Sequence, residues 1–187
     1  VATIAESLRE AIAATPDATV PLLLENAAGQ GTALGATFEE LSSVLAAVDA
    51  PGRTGVTLDT CHLYAAGWDL RTEEAYGRLV DRIHDTIGLE TVRAFHLNDA
   101  KAELGSHLDR HENIGKGTIG LDAFRRLIND PRWANRPGYL ETPLDDNGYA
   151  RYALDLSTLR SLTEPAGAAA PAPAPRRKKR AGSSTVK

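Results

Sequence analysis

A single cysteine, Cys61, no methionine and an aromatic content of only 5% are the first features of this 187-residue sequence. One thiol rules out an internal disulfide framework and fits a reducing compartment. The sequence has no run of about 18 apolar residues and no basic-then-apolar start, so neither a spanning helix nor a secretory leader is visible. Lack of methionine, with Val1 opening straight into a helical pattern, points to a truncated or processed product. Acid is missing from residues 176–187, which carry Arg176, Arg177, Lys178, Lys179, Arg180 and Lys187. Residues 1–175 therefore hold 15 basic against 25 acidic side chains, a formal −10. A body that acidic repels a polyanion unless something supplies positive charge, and bound metal ions are one such source.

What is present is a repeated grammar. Residues 1–14 carry Ile4, Leu8 and Ile12 at helical spacing, and Pro16 restricts the residue before it and stops them. VPLLLE at 20–25 reads as a strand. Thr37 and Glu40 form a capping box that opens a helix through Leu41, Leu45 and Val48. GVTLD at 55–59 is a strand, followed by a polar loop and a helix over 73–87. VRAFHL at 92–97 is the next strand, followed by a long loop over 98–119 and a helix over 121–129. GYLE at 138–141 and a helix over 149–161 complete the series. Spacings of 35, 37 and 46 residues between strand starts predict α/β architecture, with parallel βα units of a TIM-type barrel.

Each predicted strand ends in a residue able to bind metal: Glu25, Asp59, His96 and Glu141. One such acid is most simply a solvated loop or a helix cap. Four in register predict a shared site, because barrels gather their chemistry at the C-terminal strand ends. His62 follows Asp59 by three residues, and Asp109 and His111 lie two apart, so in an extended loop they face the same way. This oxygen and nitrogen set suits zinc or manganese. Cys61 is read as a packed small hydrophobe. His84 and His107 are read as surface histidines without partners. Four βα units cannot close an eight-stranded barrel alone, so either a missing half was cut away or two half-barrels assemble; truncation is the favoured reading. The Pro/Ala-rich segment from Thr163, ending in the basic block, is expected to be a disordered linker with a basic tail that touches phosphates without reading sequence. A solubilising end with no ligand is its plainer reading.

The stretches LLLENAAGQG at 22–31, GVTLDTCHLYAAGWDLRT at 55–72, FHLNDAKAELGSHLDRHENIGKGTIG at 95–120 and YLETP at 139–143 resemble the C-terminal part of endonuclease IV, the apurinic/apyrimidinic endonuclease family of base-excision repair. The resemblance runs from about Ala2 to Leu162, so it divides the chain into a partial barrel over 1–162 and the tail over 163–187. It implies the last four βα units of an eight-stranded barrel holding three zinc ions, with manganese as a partial substitute. It further implies that Glu25 bridges the first and second zinc and serves catalysis. Asp59, His96 and Glu141 would complete the second, and His62, Asp109 and His111 the third. Arg110 would face a DNA phosphate. The implied activity is cleavage of double-stranded DNA 5′ to an abasic site by a cytoplasmic, nucleoid-associated enzyme without membrane contact, monomeric when complete. Two histidines of the first zinc, from earlier strands, have no counterpart in this chain, and Glu112 stands where many relatives have another polar or basic residue.

Two other readings compete. A single-metal sugar isomerase or epimerase also places Glu, Asp, His and Glu on successive strand ends, but has no need for His62 with Asp109 and His111. A non-catalytic remnant or DNA-tethering module is favoured by the missing half and the basic tail.

Overall fold

Buried apolar stretches and their flanking caps set the order of elements in the computed structural model, which describes residues 1–144, 146 and 148–164. Helix α1 spans Ala2–Ala14, strand β1 Leu22–Glu25, helix α2 Phe38–Val48 and strand β2 Thr54–Asp59. Short helix α3 (Thr60–Ala65) and long helix α4 (Glu73–Thr86) follow, then β3 (Val92–His96), β4 (Asp99–Ala100) and β5 (His111–Glu112). Helix α5 (Leu121–Ile128), strand β6 (Gly138–Tyr139) and helix α6 (Ala150–Ser161) come last among the described residues.

Strands β1, β2, β3 and β6 form one parallel sheet in that order, the arrangement of consecutive βα units in a TIM barrel. Its edges are β1 and β6. Every residue of β2 is buried, as expected for a parallel strand covered on both faces. Val56, Leu58, Phe95 and Leu97 belong to a core that also includes Tyr64, Leu79, Ile83, Phe124 and Leu127 from the helices. Ala5, Val44 and Val48, with Leu8 and Ile12, make a smaller cluster that fastens α1 to α2. The Thr37 capping box forms as the sequence predicts: its hydroxyl accepts from Glu40 N–H, and the Glu40 carboxylate accepts from Thr37 N–H.

Four sequence expectations need correction. The region after Asp59 is not a polar loop but begins with α3, whose Cys61, Leu63 and Tyr64 are all buried. A helix buried all round shows no amphipathic period, and its cap is the last residue of the preceding strand. The loop over 98–119 contains the antiparallel pair β4/β5, with Ala100 opposite His111. Strand β6 ends two residues before Glu141, because the Glu141 N–H is bonded to the Asn98 side chain (2.9 Å). Strand β1 begins at Leu22 rather than Val20, and Pro21 has no N–H to place in a ladder. The segment expected to be a disordered tail lies, from residue 165 on, outside the described residues. Among the described residues no helix is long and apolar enough to cross a membrane.

Candidate metal centre

Parallel register brings the strand ends together: Glu25 lies beside Thr57 of β2, and Asp59 pairs with His96. His96 Nδ1 lies 2.9 Å from Glu25 Oε1, 3.3 Å from Glu141 Oε2 and 3.9 Å from Asp59 Oδ2. One donor atom from each of Glu25, Asp59, His96 and Glu141 falls within 4.8 Å of all the others. Glu141 reaches this group although it lies beyond its strand.

A second group adjoins the first. His62 Nε2, His111 Nε2 and Asp109 Oδ1 are mutually 3.1–3.3 Å apart. A tetrahedral ion with bonds of about 2.0–2.1 Å to nitrogen or oxygen spaces its ligand atoms about 3.3–3.4 Å apart. These three atoms therefore already form one face of such a coordination shell. His111 Nε2 is also 3.7 Å from Asp59 Oδ2, so the two groups are contiguous.

Both imidazoles are aimed by backbone. Nδ1 of His62 lies 2.8 Å from the Asn26 carbonyl, and Nδ1 of His111 lies 3.1 Å from the Glu141 carbonyl. A carbonyl only accepts, so each Nδ1 carries the proton and each Nε2 keeps its lone pair for a cation. Burial works against a charged His62 ring, but the Asp59 carboxylate, the Asn26 carbonyl, Asp109 and Glu25 outweigh it and raise the pKa above its ordinary value. Asp59 is fully buried yet satisfied: Oδ1 caps α3 by accepting from His62 N–H (3.0 Å), and Oδ2 accepts from Asn98 Nδ2.

The structure brings the residues singled out from sequence together as two adjoining clusters, Glu25, Asp59, His96 and Glu141 beside His62, Asp109 and His111. Arg110, between two of them, is exposed, and its guanidinium donates to the Asp109 carbonyl. Cys61 Sγ lies near donor atoms of Asp109 and His111, but the side chain is fully buried. Burial first, and then the Asp59 charge, push its thiol up to about 12. His84 is a surface residue beside Asp85. His107, expected to lack a partner, has one: its Nδ1 sits 3.2 Å from the Ala28 carbonyl, joining the β4/β5 arm to the loop after β1.

Sequence reasoning missed the side chains that hold these donor groups in place. Asn26 Oδ1 accepts from Asp59 N–H at 2.7 Å. Asn98, fully buried, donates to the Asp59 carboxylate and accepts from the Glu141 backbone, joining two strand ends. The buried Asp99 carboxylate collects the N–H groups of Ala100, Gly115 and Ile119 and shapes the arm that carries Asp109 and His111. The available signal was position: Asn26 directly follows Glu25, and Asn98 follows His96 by two residues.

The family model described as xylose isomerase-like TIM barrel matches residues 1–162. The chain belongs to that family. Within it, the similarity runs to endonuclease IV proteins. It is 46% identical over 159 residues to a protein named probable endonuclease 4 from Geobacter sulfurreducens, covering 85% of this chain and 53% of that one. It is 49% identical over 162 residues to the protein of the same name from Chlorobium phaeobacteroides, covering 87% and 55%. The crystal structure of endonuclease IV from Thermus thermophilus superposes with a TM-score of 0.72 at 38% identity, over 84% of this chain and 55% of that one. The chain spans about half the length of the relatives it matches, and resembles their C-terminal portion.

Proposed function

We propose that these residues are the C-terminal half of a zinc-dependent active site that hydrolyses double-stranded DNA on the 5′ side of abasic sites. The observation that carries this reading is the second donor triangle, His62, Asp109 and His111, set against the first group of four. A single-metal sugar isomerase would use Glu25, Asp59, His96 and Glu141 and leave that triangle without purpose. Likeness to proteins named endonuclease 4 points the same way.

The mixed oxygen and imidazole donors fit zinc, with manganese as a partial substitute. His96, Asp59, Glu141 and Glu25 would hold one ion, and His62, Asp109 and His111 another. Glu25 would also reach a third, whose remaining ligands are not among these residues. When bound, zinc supplies Lewis-acid stabilisation of the phosphoryl oxygens and activates water near neutral pH. Glu25, reaching both His96 and His62 through Oε1 (2.9 and 3.4 Å), sets the spacing of the groups and orients the attacking water by accepting its hydrogen bond. The exposed Arg110 guanidinium is free to turn from its own backbone to a phosphate oxygen. Asn26 and Asn98 keep the carboxylates fixed while charge shifts on the phosphate. Operation in the cytoplasm, at the nucleoid, follows from such a substrate.

The test is incision of a duplex oligonucleotide bearing one abasic analogue, with zinc or after chelation. Two proteins are compared: this chain, and this chain joined behind the N-terminal part of the Geobacter sulfurreducens relative. The expected result is zinc-dependent incision 5′ to the lesion in the joined protein, abolished by Asp109→Asn. No incision in either, or zinc-dependent interconversion of aldose and ketose sugars, would overturn the proposal.

A further inference from the structure

Helix α6 is built against its pattern. Asp155 is 1% exposed, while Leu154 and Leu156 on either side are 55% and 36% exposed. A carboxylate turned inward with leucines turned out is a local violation of the kind that marks a functional constraint. Asp155 Oδ2 accepts from Thr142 Oγ1 (2.7 Å) and from Asn113 Nδ2 (2.9 Å). Its Oδ1 accepts from Ile114 N–H (3.2 Å), with an Arg151 guanidinium nitrogen at 3.5 Å. Asn113 Nδ2 also donates to the Pro143 carbonyl (3.0 Å).

Thr142 directly follows Glu141, and Asn113 and Ile114 lie two and three residues after His111. One buried carboxylate thus gathers the two loops that deliver Glu141 to one donor group and His111 to the other. The link between His111 Nδ1 and the Glu141 carbonyl is the rung of the same ladder nearest the metal centre. We infer that Asp155 is a positioning residue that fixes Glu141 and His111 relative to each other, so that the two metal sites form as a unit. This rests on the metal-site assignment of the proposed function.

The experiment titrates the chelator-stripped chain with Co²⁺, whose visible absorption reports coordination where zinc is silent. Wild type is compared with Asp155→Asn, Thr142→Val, Thr142→Ser and, as a control in the same helix, Leu159→Ala. Loss of an outer hydrogen-bond partner typically weakens metal binding by about 10–100-fold. Asp155→Asn is expected to weaken both sites by that factor. Thr142→Val should weaken mainly the site that remains when His62→Gln is added, and Thr142→Ser should restore it. Leu159→Ala lowers thermal stability through the core and should leave Co²⁺ affinity within about 2-fold, well below that factor. Wild-type Co²⁺ affinity in Asp155→Asn and Thr142→Val, or equal weakening in Leu159→Ala, would overturn the inference. Because the readout is metal binding, absence of DNA incision with the coupling intact would sink the nuclease reading alone.

Discussion

His62→Gln is the most direct probe of the second donor group. It keeps a polar side chain of similar length at a position where the imidazole is only 12% exposed, but removes one of three donors spaced for a single ion. Zinc held by four ligands is worth about 10–16 kcal/mol near neutral pH, or about 2.5–4 kcal/mol per ligand. At about 1.4 kcal/mol per decade, one lost ligand weakens binding by about 10²–10³-fold. Water can fill part of the vacated position, which favours the lower end. The Asp59–His96 group should keep its ion, because its shortest contacts run through His96 Nδ1 and do not involve His62 Nε2. The assay is Co²⁺ binding in competition with a chelator, reading stoichiometry and affinity for each site. His84→Gln is the control, since that ring lies on the exposed face of α4 beside Asp85 alone. An unchanged number of tight sites in His62→Gln, or equal weakening by His84→Gln, would refute the reading of the triangle as a metal site.

Away from the site, Tyr76 Oη donates to Asp130 Oδ2 (2.8 Å), Trp133 Nε1 donates to Tyr76 Oη (2.7 Å), and Arg132 brackets the same carboxylate. Asp130→Asn should cost about 3 kcal/mol, the low end for breaking a buried pair because the Arg132 side chain is 33% exposed, measured by urea unfolding. Burial alone would raise the Asp130 carboxyl, but its bonds from Arg132 and Tyr76 outweigh burial and hold it below the ordinary 3.8. Its contribution is therefore complete above the unfolded-state value and is lost as pH falls through the lower folded one, so Asp130→Asn should flatten that acid limb. Cys61, with 0% exposure, should react with a disulfide reagent at least about 10³-fold more slowly in the folded chain than in denaturant. Cys61→Ala should retain metal binding, and rapid native labelling would contradict a packed thiol.

Much of the barrel could be read from sequence because its strands obey simple rules. β2 carries Val56 and Leu58 and ends in a charged residue, so GVTLD announces both strand and site. Thr37 and Glu40 mark the start of α2 because two backbone donors need those side chains. Local pattern failed where tertiary contacts decide. Helix α3 is hidden because its Asp59 cap is also a strand end, while β4/β5 is too short for alternation to show. The candidate donors stood out in the sequence because few residue types bind metal. Asn26 and Asn98 have no such chemistry, and only the fold reveals that their amides bridge strand ends. Asp155 lies between Leu154 and Leu156 in a helix that reads as a surface element, and only the fold shows that the carboxylate, not its two neighbours, turns inward.

The same atoms that would take a cation are, in the structure, paired with one another. His96 Nδ1 meets Glu25 Oε1, while His62 and His111 share Asp109. A proton on His62 can stand in for a cation beside the Asp59, Asp109 and Glu25 carboxylates. That accounts for the raised pKa of His62 despite burial. Metal loading at His62 must then expel that proton, since an imidazole nitrogen cannot hold both. Exchanging a proton for a divalent ion adds net positive charge at a point where the surrounding chain is strongly acidic. On the proposed nuclease reading, such a site in an acidic body would receive a phosphodiester only after that exchange, so metal binding and attraction for substrate would be one electrostatic event. The buried supports Asn26, Asn98 and Asp155 hold the donor atoms at a cation's spacing before it arrives, which lowers the reorganisation that loading requires.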